Sequence, residues 1–332
     1  MYTARKYVLL LNCYRLIIVL SLLGSKQACA QQEPQTNLYL FNTLYVNPGY
    51  TGYKEDAYLH AFYRTQWTGL RGAPQNVSIS ADKAFGDNKN VGMGISMNQY
   101  SLGAQSNLSA RFNYAYRLRI NDDKNARLAF GISAGIRQIG LDGTKSDPIV
   151  PLDPLIPYTK VTKISPDVNF GVYFSNEDFF AGVSAMNLLT NLSRDETIPV
   201  PTPAVHFFVI GGFLKELDNG LLLKPSFQFK DDRTGPSSLD ISTSVMFGER
   251  LWLGGFYRTA VLNALKKNLP DNLQKQSALG LTMEVFVGQK LRIGYSFDYS
   301  LNKLQQYSLG SHEISLGIYL TSLRDRLVKC YF

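Results

Sequence analysis

Runs of alternating apolar and polar residues recur along the chain from about residue 57 to residue 320. The run 291–300 shows the pattern, with apolar or aromatic residues at odd positions and polar or small residues at even positions. Successive side chains of a β-strand point to opposite faces, so each run predicts a strand with one apolar and one polar face.

About fourteen such runs can be delimited, and most have the roughly 9 to 11 residues that a tilted strand needs to cross a bilayer. An even number of strands suits a bacterial single-chain barrel. Two of the runs, 204–215 and 250–259, alternate poorly, so the count is uncertain by two. The runs are 57–66, 75–84, 90–100, 105–119, 126–139, 165–175, 178–187, 204–215, 220–231, 237–248, 250–259, 277–287, 290–300 and 311–320.

The length of a connection between two runs depends on its position along the chain. Those after odd-numbered strands include the long segments 140–164, 188–203 and 260–276, whereas those after even-numbered strands are short. Outer-membrane barrels have short periplasmic turns and long extracellular loops, and a soluble β-sandwich has no reason to sort its loops in this way. The sequence therefore predicts an all-β fold, a closed antiparallel transmembrane β-barrel of about fourteen strands.

The first thirty residues resemble a secretory signal peptide. Arg5 and Lys6 precede an apolar run at 16–23, and Ala28-Cys29-Ala30 offers a cleavage site before Gln31. No later segment approaches the 18 apolar residues of a transmembrane helix, so strands must carry any membrane insertion. We expect an integral protein of the cell outer membrane.

Cleavage at this site changes the cysteine content and the charge. Cys330 alone would remain, which excludes an internal disulfide. The formal net charge would fall from +8 to +4, because the first thirty residues carry four basic residues and no acidic one. This charge is too small to argue for nucleic acid as a partner. The expected divisions are a signal peptide at 1–30, a periplasmic or plug segment at 31–56, the barrel at 57–320 and a periplasmic tail at 321–332.

The sequence gives little support for an enzyme, a cofactor or a metal site. The three histidines, His60, His206 and His312, are not spaced as metal ligands. His60 and His312 lie on the first and last strands, which closure would bring together, but no nucleophile-elbow motif accompanies them. Gly92-Met93-Gly94 lies within a strand and does not resemble a phosphate loop.

Charged residues on the polar faces should point into the lumen, because charges facing lipid are costly. Two readings remain open for this set: a salt-bridged filling that holds the barrel's shape, or an open anion-selective pore. The residues that we expect to face the lumen are Arg111, Arg117, Asp167, Glu284, Arg292 and Asp298.

Glycines also fall on the polar faces of the predicted strands. Glycine weakens a strand interior and often marks the close approach of another backbone. We therefore expect residues 31–56, or a partner's peptide, to pack inside the barrel; the alternative is that the glycines only relieve crowding in the wall. The glycines are Gly92, Gly94, Gly131, Gly135, Gly171, Gly182, Gly280, Gly294 and Gly317.

Several stretches resemble one family, the PorP/SprF outer-membrane proteins of Bacteroidota. The family's amino-terminal element is matched around Asn47 and Pro48, although Thr43 replaces its usual proline. Its tryptophan element is matched by Trp67, Gly69, Gly72 and Pro74. The matching stretches are 41–52, 63–74, 88–94, 291–299, 310–314 and 330–332.

The resemblance implies a non-enzymatic outer-membrane component of the type IX secretion and gliding machinery. Its partners would be other secretion components, secreted or surface-displayed cargo, and outer-membrane lipid. A passive pore or a transporter of hydrophobic solutes is the alternative. The tryptophan element lies in the outer loop after the first strand, either as a tight turn at the membrane interface or as a docking surface.

Overall fold

The computed structural model describes residues 35–121, 125–145, 157–189, 204–217, 220–233, 235–261 and 277–320. Among these residues no helix is long and apolar enough to cross a membrane. The strands are β1 (Tyr58–Thr65), β2 (Gln75–Phe85), β3 (Val91–Leu102), β4 (Gln105–Asn121), β5 (Ala126–Asp142), β6 (Lys160–Ser175), β7 (Phe179–Met186), β8 (His206–Phe213), β9 (Lys215–Glu216), β10 (Leu222–Asp231), β11 (Ser237–Phe247), β12 (Leu251–Val261), β13 (Ser277–Val287), β14 (Leu291–Ser300) and β15 (Ser311–Tyr319). Short 3-10 turns span Thr43–Tyr45, Pro48–Tyr50, Gly143–Lys145 and Lys303–Gln306.

The long strands form one closed antiparallel ring. Each pairs with its neighbours in the chain, and β8 pairs with β10 because β9 is only a two-residue extension beside β10. The ring closes where β1 pairs with β15, from Tyr58 opposite Tyr319 to Thr65 opposite His312. The prediction of a closed barrel is confirmed, with fourteen strands in the ring when β9 is left out. Closure leaves no sheet edge that would expose backbone groups to lipid.

The wall is apolar outside and polar inside. Ile79 and Leu281 point outward and are 58% and 68% exposed, whereas Glu284 and Ser296 point inward and are fully buried. A soluble protein buries its apolar face, so this inverted arrangement requires lipid around the barrel. The alternation read from the sequence therefore matches the two faces of the wall.

The predicted outer loop at 140–164 is too long, because β5 and β6 continue into it. These strands stay paired up to Asp142 opposite Lys160, which leaves 143–159 as the connection. The first residues of β6, Lys160 to Ile164, are partly or fully exposed at every position. Alternation is lost where neither face of a strand meets lipid or a filled lumen, so periodicity did not reveal this extension. The predicted loops at 188–203 and 260–276 lie mostly outside the described residues.

We expect the long loops to be accessible from the cell exterior and the short turns to be protected. In a Cys330→Ser background, Lys303→Cys places a thiol in the loop between β14 and β15, and Lys290→Cys places one in the turn before β14. Both positions are exposed in the structure. An impermeant thiol reagent on intact cells should label position 303 and spare position 290. The reverse labelling pattern would show that the orientation assigned to the barrel is wrong.

Candidate functional site

The lumen is occupied by the chain's own residues 35–56, here called the plug. Val46 and Thr51 are almost completely buried by the surrounding strands. These contacts agree with the expectation that the amino-terminal segment packs inside the barrel; residues 31–34 lie outside the described part of the chain. The plug crosses the lumen from the outer ends of the strands, near Gln35, to their inner ends, near Glu55.

At the inner end, ionic and backbone contacts hold the plug to β2, β4 and β5. Glu55 lies 2.7 Å from the guanidinium of Arg127 and 3.7 Å from that of Arg117. Arg117 also donates to the carbonyl of Gly52 (2.6 Å), and the amide of Gly52 donates to Asp82 (2.7 Å). The plug therefore forms ion pairs or hydrogen bonds with two arginines and one aspartate of the wall.

In the middle of the lumen, Asn47 connects the plug to β6 and β7. Its Nδ2 donates to the carbonyls of Val172 (3.0 Å) and Val183 (3.3 Å). Its Oδ1 accepts from the amide of Gly49 (2.8 Å), which caps the 3-10 turn that Pro48 begins. The Asn47-Pro48 pair of the amino-terminal motif therefore folds the plug and fastens it to the wall.

Aromatic side chains fill the space between these polar contacts. Tyr50 stacks on Tyr53 with their ring centroids 4.7 Å apart, and it meets Tyr173 of the wall edge-to-face at 5.2 Å. The guanidinium carbon of Arg292 lies over the ring of Phe41, 4.5 Å from the centroid of that ring. Such contacts bury large apolar areas while they keep a charged group in an attractive environment.

The inward glycines have two separate roles. A Cβ at Gly92, Gly131 or Gly171 would overlap plug atoms of Thr51, of Pro48 and Gly49, or of Asn47, respectively. A Cβ at Gly94, Gly135, Gly280 or Gly317 would instead overlap atoms of the wall. Room for an internal segment therefore explains only part of the glycine pattern, and relief of crowding between neighbouring strands explains the rest.

The six charged residues predicted to face the lumen all lie on the inner face of the wall with an oppositely charged partner. Arg111 and Arg137 share Asp167 at 2.5 and 3.2 Å. Glu284 pairs with Arg292, and Asp298 with Arg64. Arg117 has its partner, Glu55, on the plug.

Glu55 and Asn37 of the plug were not predicted as site residues from the sequence. At the inner ends of β4 and β5 the wall places Arg117 and Arg127 side by side, and Glu55 of the plug lies against both. Two buried cations need compensating acid. An uneven charge on the inner face was therefore the available signal that the plug carries a carboxylate.

The tryptophan element forms a fixed outer loop. Thr68 exchanges backbone hydrogen bonds with Leu309 and Gly310 of the loop between β14 and β15, each 2.8 Å long. Gly72 accepts from the amide of Gly103 in the turn between β3 and β4 (2.9 Å), and Gln66 donates to Pro74 (2.9 Å). Trp67 is partly buried, and positive φ angles at Gly69 and Gly72 (100° and 72°) explain their glycines. Backbone hydrogen bonds thus join three neighbouring outer connections into one surface.

Closure of the barrel does not bring His60 and His312 together. His60 points inward and is buried opposite Gly317, five residues along β15 from His312. His312 points outward and its Nδ1 lies 2.8 Å from the Tyr295 hydroxyl. The two positions fall on opposite faces because strand side chains alternate. Among the described residues no group of three His, Cys, Asp or Glu side chains is placed to hold a metal ion.

The fold and the lumen define an outer-membrane β-barrel that contains its own amino-terminal plug. Solved outer-membrane barrels resemble it loosely. Omp33 of Acinetobacter baumannii is 7% identical, with a TM-score of 0.45 and coverage of 80% of this chain and 98% of that chain. BamA of Haemophilus ducreyi lacking POTRA domains 1–3 is 10% identical, with a TM-score of 0.41 and coverage of 80% and 70%. A triple mutant of Rhodopseudomonas blastica porin is 7% identical, with a TM-score of 0.34 and coverage of 79% and 98%.

Comparison with models of protein families identifies the family of the chain. Residues 28–318 match the model of the type IX secretion system membrane protein PorP/SprF. The chain belongs to this family, and it is an outer-membrane component of type IX secretion. No curated protein matches the chain significantly.

Crowding at a plug-facing glycine should loosen the filled lumen. A Cβ at Gly131 would overlap the backbone of Pro48 and Gly49, which cannot rotate away. We expect Gly131→Ala to destabilise the folded barrel by about 1–3 kcal/mol, the usual cost of overpacking. The measurement is the temperature at which the purified protein loses its heat-sensitive gel mobility.

The matched control is Gly255→Ala, on the outward face of β12. A Cβ there lies 3.3 Å from its nearest neighbour, the carbonyl oxygen of Gly280. This variant should melt close to the wild-type temperature. Equal destabilisation of the two variants would show that the plug contact is not what makes Gly131 sensitive.

Proposed function

We propose that this barrel acts by contact, anchoring secretion machinery or exported cargo at the outer membrane without catalysis and without conducting solutes. The proposal rests on the family and on one observation, the filled lumen. The plug contacts the wall at its outer end, at mid-depth and at its inner end, and each contact uses directed hydrogen bonds or ion pairs.

The pairing of the lumen charges favours this function over an anion-selective pore. A conducting pore uses charged side chains to interact with passing ions. Here the guanidinium groups of Arg64, Arg258 and Arg292 contact Asp298, Asp240 and Glu284, and these side chains are at most 7% exposed. They stabilise one another and the plug, so the arrangement favours the salt-bridged filling.

The outer surface supplies a means of contact. The loop at 66–74 is hydrogen-bonded to the connections on both sides, so a partner would meet it without first ordering it. Rigid surfaces bind with a smaller loss of conformational entropy than mobile loops. Tyr307 and Leu309, on the adjoining loop, are 68% and 75% exposed. We propose that this joined surface binds a secretion partner or cargo.

The plugged barrel should be nearly silent in planar bilayers. Deleting residues 35–50 should raise its conductance, because this removes the filling while leaving the strands. A double variant, Asn47→Ala with Glu55→Gln, keeps the chain length and should produce intermittent openings. Lys303→Gln, on an outer loop, serves as the matched control and should stay closed. A steadily conducting wild type would instead establish the pore.

Loss of the gene should block secretion or surface display of particular proteins without removing a metabolic activity. The measurement is comparative proteomics of the cell surface and culture medium, with the wild-type gene restored as the control. If the mutant exports everything normally but fails to take up a nutrient, the transporter alternative is correct.

A further inference from the structure

Buried charged side chains lie where the first and last strands pair. Arg64 of β1 lies directly opposite Glu313 of β15, and Glu313 lies opposite Ser296 of β14. Arg64 donates to Asp298 of β14 (2.7 Å) and to Glu313 (3.3 Å). The pairing of β1 with β15, here called the seam, therefore carries an ion cluster near its outer end.

This cluster has more acid than its nearest arginine can neutralise. Two carboxylates, on Asp298 and Glu313, share the guanidinium of Arg64. The neighbouring cation, Arg258 of β12, donates its Nε to both carboxylate oxygens of Asp240 (2.8 and 3.0 Å). A buried carboxylate that lacks enough donors is strongly destabilising, so the second acid at the seam needs further hydrogen bonds.

The plug supplies these donors from three consecutive residues. Thr36 Oγ1 donates to Glu313 Oε1 (2.6 Å), and the amides of Asn37 and Leu38 donate to Oε2 (2.8 Å) and Oε1 (3.3 Å). Asn37 Nδ2 donates to Asp298 Oδ2 (2.6 Å) and to Ser296 Oγ (3.0 Å). Asn37 Oδ1 accepts from Arg258 (3.0 Å), so this single residue is bonded to β12, β14 and β15.

We propose that residues 36–38 are a clasp that closes the barrel. The clasp supplies hydrogen-bond donors to the surplus carboxylate at the seam and ties β12, β14 and β15 together, while Arg64 connects the same acids to β1. The first and last strands are far apart in sequence and must be brought together late. Because its donors complete the seam, the plug has a role in barrel closure that filling the lumen does not require.

The chain offers a matched control in a second asparagine of the plug. Asn47, which is buried as Asn37 is, donates to β6 and β7, away from the seam. Substituting each asparagine by alanine removes a similar number of atoms and hydrogen bonds. The clasp predicts that the two variants loosen different parts of the wall.

The test is backbone hydrogen exchange of the full-length protein, measured by mass spectrometry on peptides from each strand. Asn37→Ala should speed exchange in β14, β15 and β1 on the order of tenfold, the factor for about 1.4 kcal/mol, with little change in β6 and β7. Asn47→Ala should give the opposite distribution. If Asn37→Ala does not fold, Thr36→Val, which loses one bond to Glu313, should show a smaller effect on the same strands.

A charge rescue separates the clasp from simple packing. Asn37→Ala deprives Asp298 of a side-chain donor, and Glu313→Gln removes the second carboxylate that shares Arg64 with Asp298. Asn37→Ala combined with Glu313→Gln should therefore exchange more slowly at the seam than Asn37→Ala alone. If the combination exchanges faster, or if both asparagine variants loosen all strands equally, the plug is only a filler and the clasp is wrong.

Discussion

The structure depends on partners for the charges that the wall directs into the lumen. Lipid outside the barrel forces polar residues inward, and a filled lumen then removes the water that would solvate them. Asp167 satisfies two arginines within the wall. Glu55 and Asn37 show that other wall charges take part of their hydrogen bonding from the plug. Wall and plug therefore form one electrostatic unit, and neither has complete hydrogen bonding without the other.

Shape and charge select the same segment for the lumen. Gly131 and Gly171 allow the plug to approach the wall, and Asn47 uses that approach to reach strand carbonyls. A larger residue at either glycine would move the asparagine away from its acceptors. The position of the plug is therefore specified by steric clearance and by hydrogen-bond direction. These two constraints explain how a segment with little regular secondary structure is held in one place.

The strand order and the face of each residue were predictable because lipid and lumen impose opposite demands on alternating positions. The outer ends of β5 and β6 were not predictable, since above the membrane neither face is constrained. Within the site, the inward direction of Arg292 and Asp298 followed from alternation alone. Their partners did not, because a contact such as Asn37 with Asp298 spans 261 positions of the chain and leaves no periodic signal.

Polar side chains of the lumen are hydrogen-bonded or ion-paired within the protein, and this limits which surfaces are left for other molecules. In an open barrel, selectivity resides in the lumen and the loops regulate access. Here the lumen residues bind one another and the plug, so the proposed contact with other proteins would use the surfaces outside it. The loop at 66–74 is bonded to both adjoining connections, one of which belongs to the seam that the plug supports. Plug residues 36–38 thus contact the strands that carry the connection bonded to the loop at 66–74, whereas Asn47-Pro48 fastens the plug to β6 and β7 on another part of the wall.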